Sequence, residues 1–176
     1  MKSKIILSIT SFLLVGWGIA SCCSGQPKND AVDAENVILK DYGAEPTVVD
    51  IDAYTITNDN FRTALWTGTY LQVTLMSIPV GGEIGLEKHP DTDQFLRIEE
   101  GEAQVLMGEG PESLTFVKNA EKDFAIIVPA GMWHNIINTG SQPLKVYSIY
   151  APVEHPFGTV HKTFEEAEEA EADHHH

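Results

Sequence analysis

Gly81-Gly82-Glu83-Ile84-Gly85-Leu86-Glu87-Lys88-His89-Pro90-Asp91-Thr92-Asp93-Gln94-Phe95-Leu96-Arg97-Ile98-Glu99-Glu100-Gly101 is followed further along the chain by Pro129-Ala130-Gly131-Met132-Trp133-His134-Asn135-Ile136-Ile137-Asn138. Glu87 and His89 stand two residues apart. On an extended strand residues i and i+2 share a face, so a carboxylate and an imidazole would point into one space. A turn containing Pro90 and Asp91 precedes Gln94, which opens the next strand. The Pro129-Ala130-Gly131 turn sets His134 at the start of another.

Outward from these two stretches the chain is rich in short β-type segments. Strand readings fall at 47–51, 61–66, 70–78, 94–98, 103–107, 114–117, 124–128, 134–138 and 144–150. Turn residues punctuate them: Pro79-Val80-Gly81-Gly82, Glu99-Glu100-Gly101-Glu102, Gly108-Glu109-Gly110-Pro111 and Asn138-Thr139-Gly140. Many short strands at such spacing predict an all-β sandwich or barrel. Helices are expected only near 31–40 and at 163–172. The second of these, Thr163 to Ala172, has strong helix formers but almost no apolar stripe and reads as a solvated helix.

The two stretches resemble the two motifs of the cupin superfamily. Gly81, Glu87, His89, Gln94 and Gly101 occupy the places of the first motif's glycine, two histidines, glutamate and closing glycine, with the spacing intact. Asp123, Pro129, Gly131, His134 and Asn138 occupy those of the second. One motif alone is weak, whereas two in order are fairly specific. The resemblance spans about residues 48–150. It implies a single jelly-roll β-barrel with a metal inside, flanked here by short terminal helices. Carried over position by position, the metal-ligand candidates are Glu87, His89, Gln94 and His134.

Three family positions are changed. Glutamate stands for the first histidine, Gln94 for the glutamate, and Asp123 for a glycine. The first two changes offset each other, because the set still carries one negative charge against a divalent cation. Two histidines and one carboxylate suit Fe(II), and also Mn(II) or Zn(II), with the Gln94 amide oxygen as a weaker fourth donor. The other reading of the same residues is a metal-free, hydrogen-bonded polar network inside the fold. Gly101, Pro129 and Gly131 read as turn formers, Asn138 as a partner for backbone groups, and Trp133 and Phe95 as packing.

His155 and His161 follow the last strand, either as surface residues or as proton-transfer groups at the mouth of the fold. Arg62 and Arg97 are the two arginines. Either could hold an anionic substrate, and Arg97 could equally form an outward ion pair. There is no glycine-rich phosphate loop, no Gly-x-Ser-x-Gly turn and no Cys-x-x-Cys pair.

The chain begins Met1-Lys2-Ser3-Lys4, then runs apolar from Ile5 to Ala20. Two lysines, a short apolar run and small residues read as a secretory signal, too short for a bilayer span of about 20 apolar residues. Ile19-Ala20-Ser21-Cys22 resembles a bacterial lipobox. That resemblance implies cleavage before Cys22 and lipid attachment there, with more than one acyl chain giving durable anchoring. The expected organisation is a lipoprotein signal at 1–21, a tether with a possible short helix at 22–46, the cupin domain at 47–160 and an acidic helical tail at 161–176. The expected location is the bacterial cell envelope, with a mild preference for the outer membrane because Cys23, not aspartate, follows Cys22.

With 176 residues, one domain and one core are the default. A hydrophobic share of 43% is too high for a disordered chain. The 26 acids against 11 bases argue against nucleic acid as a partner and leave the lipid as the only membrane contact. The implied function is metal-dependent chemistry on a small molecule, of oxygenase or isomerase type, or small-molecule binding. The alternative is a non-catalytic ligand-binding or envelope-interaction module. A homodimer is expected at the level of the family only.

Overall fold

Period-two alternation and turn chemistry account for most of the architecture. The computed structural model describes residues 37–174. The expected signal, Cys22, most of the tether and the first part of the helix expected at 31–40 lie outside the described residues. Residues 37–40 are not helical. Among the described residues no helix is long and apolar enough to cross a membrane.

In chain order the elements are α1 (Ile51–Thr57), β1 (Arg62–Thr67), β2 (Gln72–Ile78), β3 (Asp93–Glu100), β4 (Glu102–Gly108), β5 (Phe116–Glu121), β6 (Ala125–Val128), β7 (Trp133–Asn138), β8 (Leu144–Ala151), β9 (Val160–His161) and α2 (Phe164–His174). They form a six-stranded sheet, β6-β3-β8-β2-β1-β9, and a three-stranded sheet, β5-β4-β7. Every pairing is antiparallel. This is the expected all-β jelly roll, with one correction: the sheets do not close into a barrel. The segment between β2 and β3 joins β7 only through isolated bridges, Glu83 to Ile137 and Glu87 to His134. That segment contains Pro79, Gly81, Gly82, Gly85 and Pro90, residue types that remove ladder donors or disfavour extended pairing.

The inward positions change character along each central strand. On β8, Leu144 and Val146 are followed by Ser148 and Tyr150, all buried. On β3, Gln94 precedes Leu96 and Ile98, and on β2 Gln72 and Thr74 precede Met76 and Ile78. Register aligns the polar positions, since Gln94 pairs with Tyr150, and Thr74 with Ser148. One end of the interior is therefore apolar and supplies the core, with Ala103, Val105 and Ile136 of the smaller sheet facing it. The other end is polar and holds the candidate site.

Three expectations need correction. The β-branched run at 47–51 is not a strand. Asp50 caps α1, its carboxylate accepting the Ala53 N–H at 3.2 Å, and Tyr54 and Thr55 of α1 are buried. Capping and burial outweigh the weak strand preference of Ile51, Thr55 and Ile56. The strand expected at 114–117 lies later, at Phe116–Glu121. Gly108 explains the delay: the chain folds back so closely that a Cβ there would meet the Ser113 carbonyl oxygen at 1.9 Å, and Leu114 and Thr115 lead irregularly into the strand. The tail helix is not merely solvated. Ala167 belongs to the core, and Phe164 packs edge-on against Phe61 with ring centroids 5.6 Å apart. Two apolar residues sufficed, a stripe too short to stand out among the glutamates.

The departure at Asp123 also has a structural reading. Its φ is +71°, the left-handed conformation that favours glycine and that aspartate tolerates better than most residues.

If α2 is docked in this way, Phe164→Ala should lower unfolding stability by about 3 kcal/mol, the low end for losing an aromatic from a core. Glu169→Ala, on the exposed side of the same helix, should change it by less than about 0.5 kcal/mol. Urea unfolding of both variants checks the pair.

Candidate metal centre

Glu87 and His89 lie in the irregular segment before β3, and His134 is the second residue of β7. The backbone brings them together. Glu87 N–H donates to the His134 carbonyl and His134 N–H to the Glu87 carbonyl, both at 3.0 Å. The Gly131 N–H, in a turn with φ of +78°, donates to the His89 carbonyl at 2.8 Å. The Ala130 N–H donates to the Asp93 carboxylate at 2.9 Å. The two stretches that stood far apart in sequence are thus laced by their turns and bridges.

The side chains converge. Glu87 Oε1 lies 3.2 Å from His89 Nε2 and 3.2 Å from His134 Nε2. The two imidazole centroids are 5.4 Å apart. One donor atom from each of the three residues falls within 4.8 Å of the others. Gln94, the fourth expected ligand, is buried on β3. Its Nε2 donates to Ser148 Oγ at 3.1 Å, and its Oε1 has no hydrogen-bond partner.

The far nitrogen of each imidazole fixes its orientation. His134 Nδ1 donates to the Met132 carbonyl at 3.1 Å, because a carbonyl can only accept. That leaves the Nε2 lone pair pointing inward, fully buried and without a hydrogen-bond partner. An unsatisfied buried acceptor is costly, and a metal ion is one way to satisfy it. His89 Nδ1 donates to Glu154 Oε1 at 2.9 Å, the carboxylate–histidine arrangement that orients metal-binding imidazoles. The donor set therefore fits a divalent metal.

Without a metal the same groups hold a proton. Burial pushes the His89 pKa down, but hydrogen bonds to Glu154 and Glu87 outweigh it and raise it to about 9. Burial pushes Glu87 up, yet the hydrogen bond and charge of His89 and the charge of Arg62 hold it well below the usual carboxylate range. The hydrogen bond from His89 likewise holds Glu154 low. The metal-free site is thus an imidazolium between two carboxylates.

Around it lie groups that were read differently, or not at all, from the sequence. Glu154 had no motif to mark it, and only the fold brings the loop after β8 to His89. His155 is neither a surface residue nor a proton-transfer group near neutral pH. It is buried edge-on to Tyr150 at 5.0 Å, and burial lowers its pKa to about 3. Burial raises the Tyr150 phenol to about 12, so it keeps its proton, and its hydroxyl has no partner. Arg97 forms the outward ion pair, with Glu99 and Asp123. Arg62 is buried, its Nη2 lying 4.0 Å from Glu87. Asn138 donates to the carbonyls of Ile78, Pro79 and Gln142, satisfying backbone groups as expected.

Comparison with known proteins agrees with the fold. The family model for the cupin domain matches residues 74–150. The uncharacterised protein YrkC of Bacillus subtilis (strain 168) is 56% identical over 147 residues, covering 84% of this chain and 79% of its own. An uncharacterised mimivirus protein, L612, is 37% identical over 114 residues, covering 64% and 69% of the two chains. The crystal structure of BH2720 from Bacillus halodurans superposes with a TM-score of 0.73 at 56% identity, covering 74% of this chain and 98% of that one.

The two histidine shifts predict a stability maximum for the metal-free protein. His89 keeps a proton in the folded state that the unfolded chain releases above pH 6.5, so stability should fall as pH rises from 6.5 towards 9. His155 refuses a proton that the unfolded chain accepts, so stability should fall as pH drops from 6.5 towards 3. Chemical unfolding in the presence of a chelator should therefore show greatest stability near pH 6.5.

Proposed function

The chain belongs to the cupin superfamily, and from that premise we propose that it binds one divalent metal through Glu87, His89 and His134, with Gln94 as a neutral fourth donor, and uses that centre to bind or transform a small molecule. The observation that carries this reading is the buried, unpartnered Nε2 of His134 beside a carboxylate and a second oriented imidazole. Fe(II), Mn(II) and Zn(II) match the donor set. When bound, such a metal supplies a Lewis acid or, if redox-active, a centre for oxygen activation.

The protein's own residues do the rest. Glu154 and the Met132 carbonyl hold the two imidazoles in the ligating orientation. The Tyr150 hydroxyl is a permanent donor, and the Gln94 oxygen is a free acceptor, both buried. A small polar molecule entering here meets fixed donors and acceptors in a dry interior, where such contacts are strongest. The second reading, a non-catalytic module, is favoured by the His89 imidazolium, which satisfies Glu87 and Glu154 with no metal at all.

Metal analysis separates the two. The protein without its final histidines should carry one divalent metal per chain, and Glu87→Ala should lose it. Glu154→Gln should weaken binding by about 10–100-fold, the usual cost of losing an orienting partner. A folded protein that takes up no metal aerobically or anaerobically would overturn the metallocupin reading in favour of the polar network.

We further propose that the protein is exported and lipid-anchored at Cys22 in the bacterial envelope. The support is the lysine-led apolar run ending in Ile19-Ala20-Ser21-Cys22. Cys22→Ala should move the protein from the membrane to the soluble fraction and abolish the mass of the acyl chains. Identical fractionation of the two forms would defeat the anchor.

A further inference from the structure

Arg62 is 1% exposed and is the bulkiest of the fully buried side chains. Its guanidinium reaches from β1 towards the metal-ligand candidates, with Nη2 4.0 Å from Glu87 Oε2. Nη1 donates to Glu171 Oε1 at 2.9 Å, and Nε has no partner. A guanidinium has five N–H donors in a fork that matches a carboxylate. Here one well-made hydrogen bond serves a fully buried group.

The partner is unusual. Glu171 belongs to the last part of α2 and is 44% exposed on its side chain, so it reaches from solvent towards a buried cation. Phe164, Ala167 and Glu171 lie on one face of α2 by their spacing, and the first two pack against the core. The apolar stripe ends and a charge takes its next place. An acid near a helix C-terminus is also opposed by the helix dipole. The first part of α2 is thus held by apolar packing, and its later part by a charged hydrogen bond that the helix itself disfavours.

The charges explain what that bond replaces. Glu87 is shared with the cation site, whether that site holds the His89 proton or a metal. With Glu171 withdrawn, Arg62 would be a buried cation lacking a carboxylate of its own. Tyr150, whose ring lies edge-on to His89 with centroids 5.5 Å apart, adds a second buried donor with no partner. We infer that Arg62 is the recognition group for a small carboxylic acid, and that Glu171 occupies it as a built-in surrogate which the ligand's carboxylate displaces. This rests on the proposed metal centre only for what the other end of the ligand meets. The contact with Arg62 needs no metal.

The test uses the full chain, metal-free and metal-loaded, with acetate as probe and chloride as control, by calorimetric titration. Glu171→Gln keeps the shape of the side chain and removes its charge. It should bind acetate about tenfold more tightly than wild type, the scale of one charged hydrogen bond. Arg62→Gln/Glu171→Gln, with both charges removed together, should lose that gain. In wild type, saturating acetate should speed amide exchange in residues 168–172, since the later part of α2 loses its tie. Glu171→Gln binding acetate no better than wild type would overturn the inference, as would chloride binding equally well. Failure of metal loading leaves the metal-free arm intact, so the two readings fail separately.

Discussion

Two backbone hydrogen bonds between Glu87 and His134, both 3.0 Å, are the constraint on which the rest of the site depends. They form one of two isolated bridges that stitch an irregular segment to β7, where no continuous ladder runs. A regular strand there would impose alternation along its whole length. One bridge fixes the direction of two side chains and leaves the neighbouring prolines and glycines free to turn. The i, i+2 relation of Glu87 and His89 survives because it needs only one locally extended stretch.

Burial then decides the chemistry. A carboxylate enclosed among imidazoles and a buried arginine keeps its charge only because cations surround it. His89 is drawn to its protonated form by the same carboxylates that would orient it on a metal. Proton and metal thus compete for one nitrogen. The apolar ends of β2, β3 and β8 make this possible by supplying the core, so that the polar ends need not.

Much of this was legible in the sequence because it rests on local rules. Alternation marked most of the strands, and Gly101, Gly131 and Asn138 stood at turns or backbone contacts that their chemistry suits. The offsetting exchange of Glu87 and Gln94 kept the charge of the ligand set visible. The run at 47–51 was misread as a strand because an N-cap at Asp50 and the burial of Tyr54 overrode β-branched propensity. Leu114 was misread because the close approach at Gly108 is a tertiary fact. The open arrangement of the sheets followed from missing pairings, which no single segment announces.

The sequence by itself determined most of the strands, the two motif-bearing turns and the residue types that converge at the site. Those depend on neighbours a few residues away, where chain geometry is nearly fixed. Only the tertiary structure decided that Glu154 holds His89, that His155 is buried, that Tyr150 lies edge-on to His89 and that Glu171 reaches Arg62 across 109 positions of chain. Such contacts join groups whose pairing depends on how sheets and helix pack, and each becomes strong only once packing has excluded water around it.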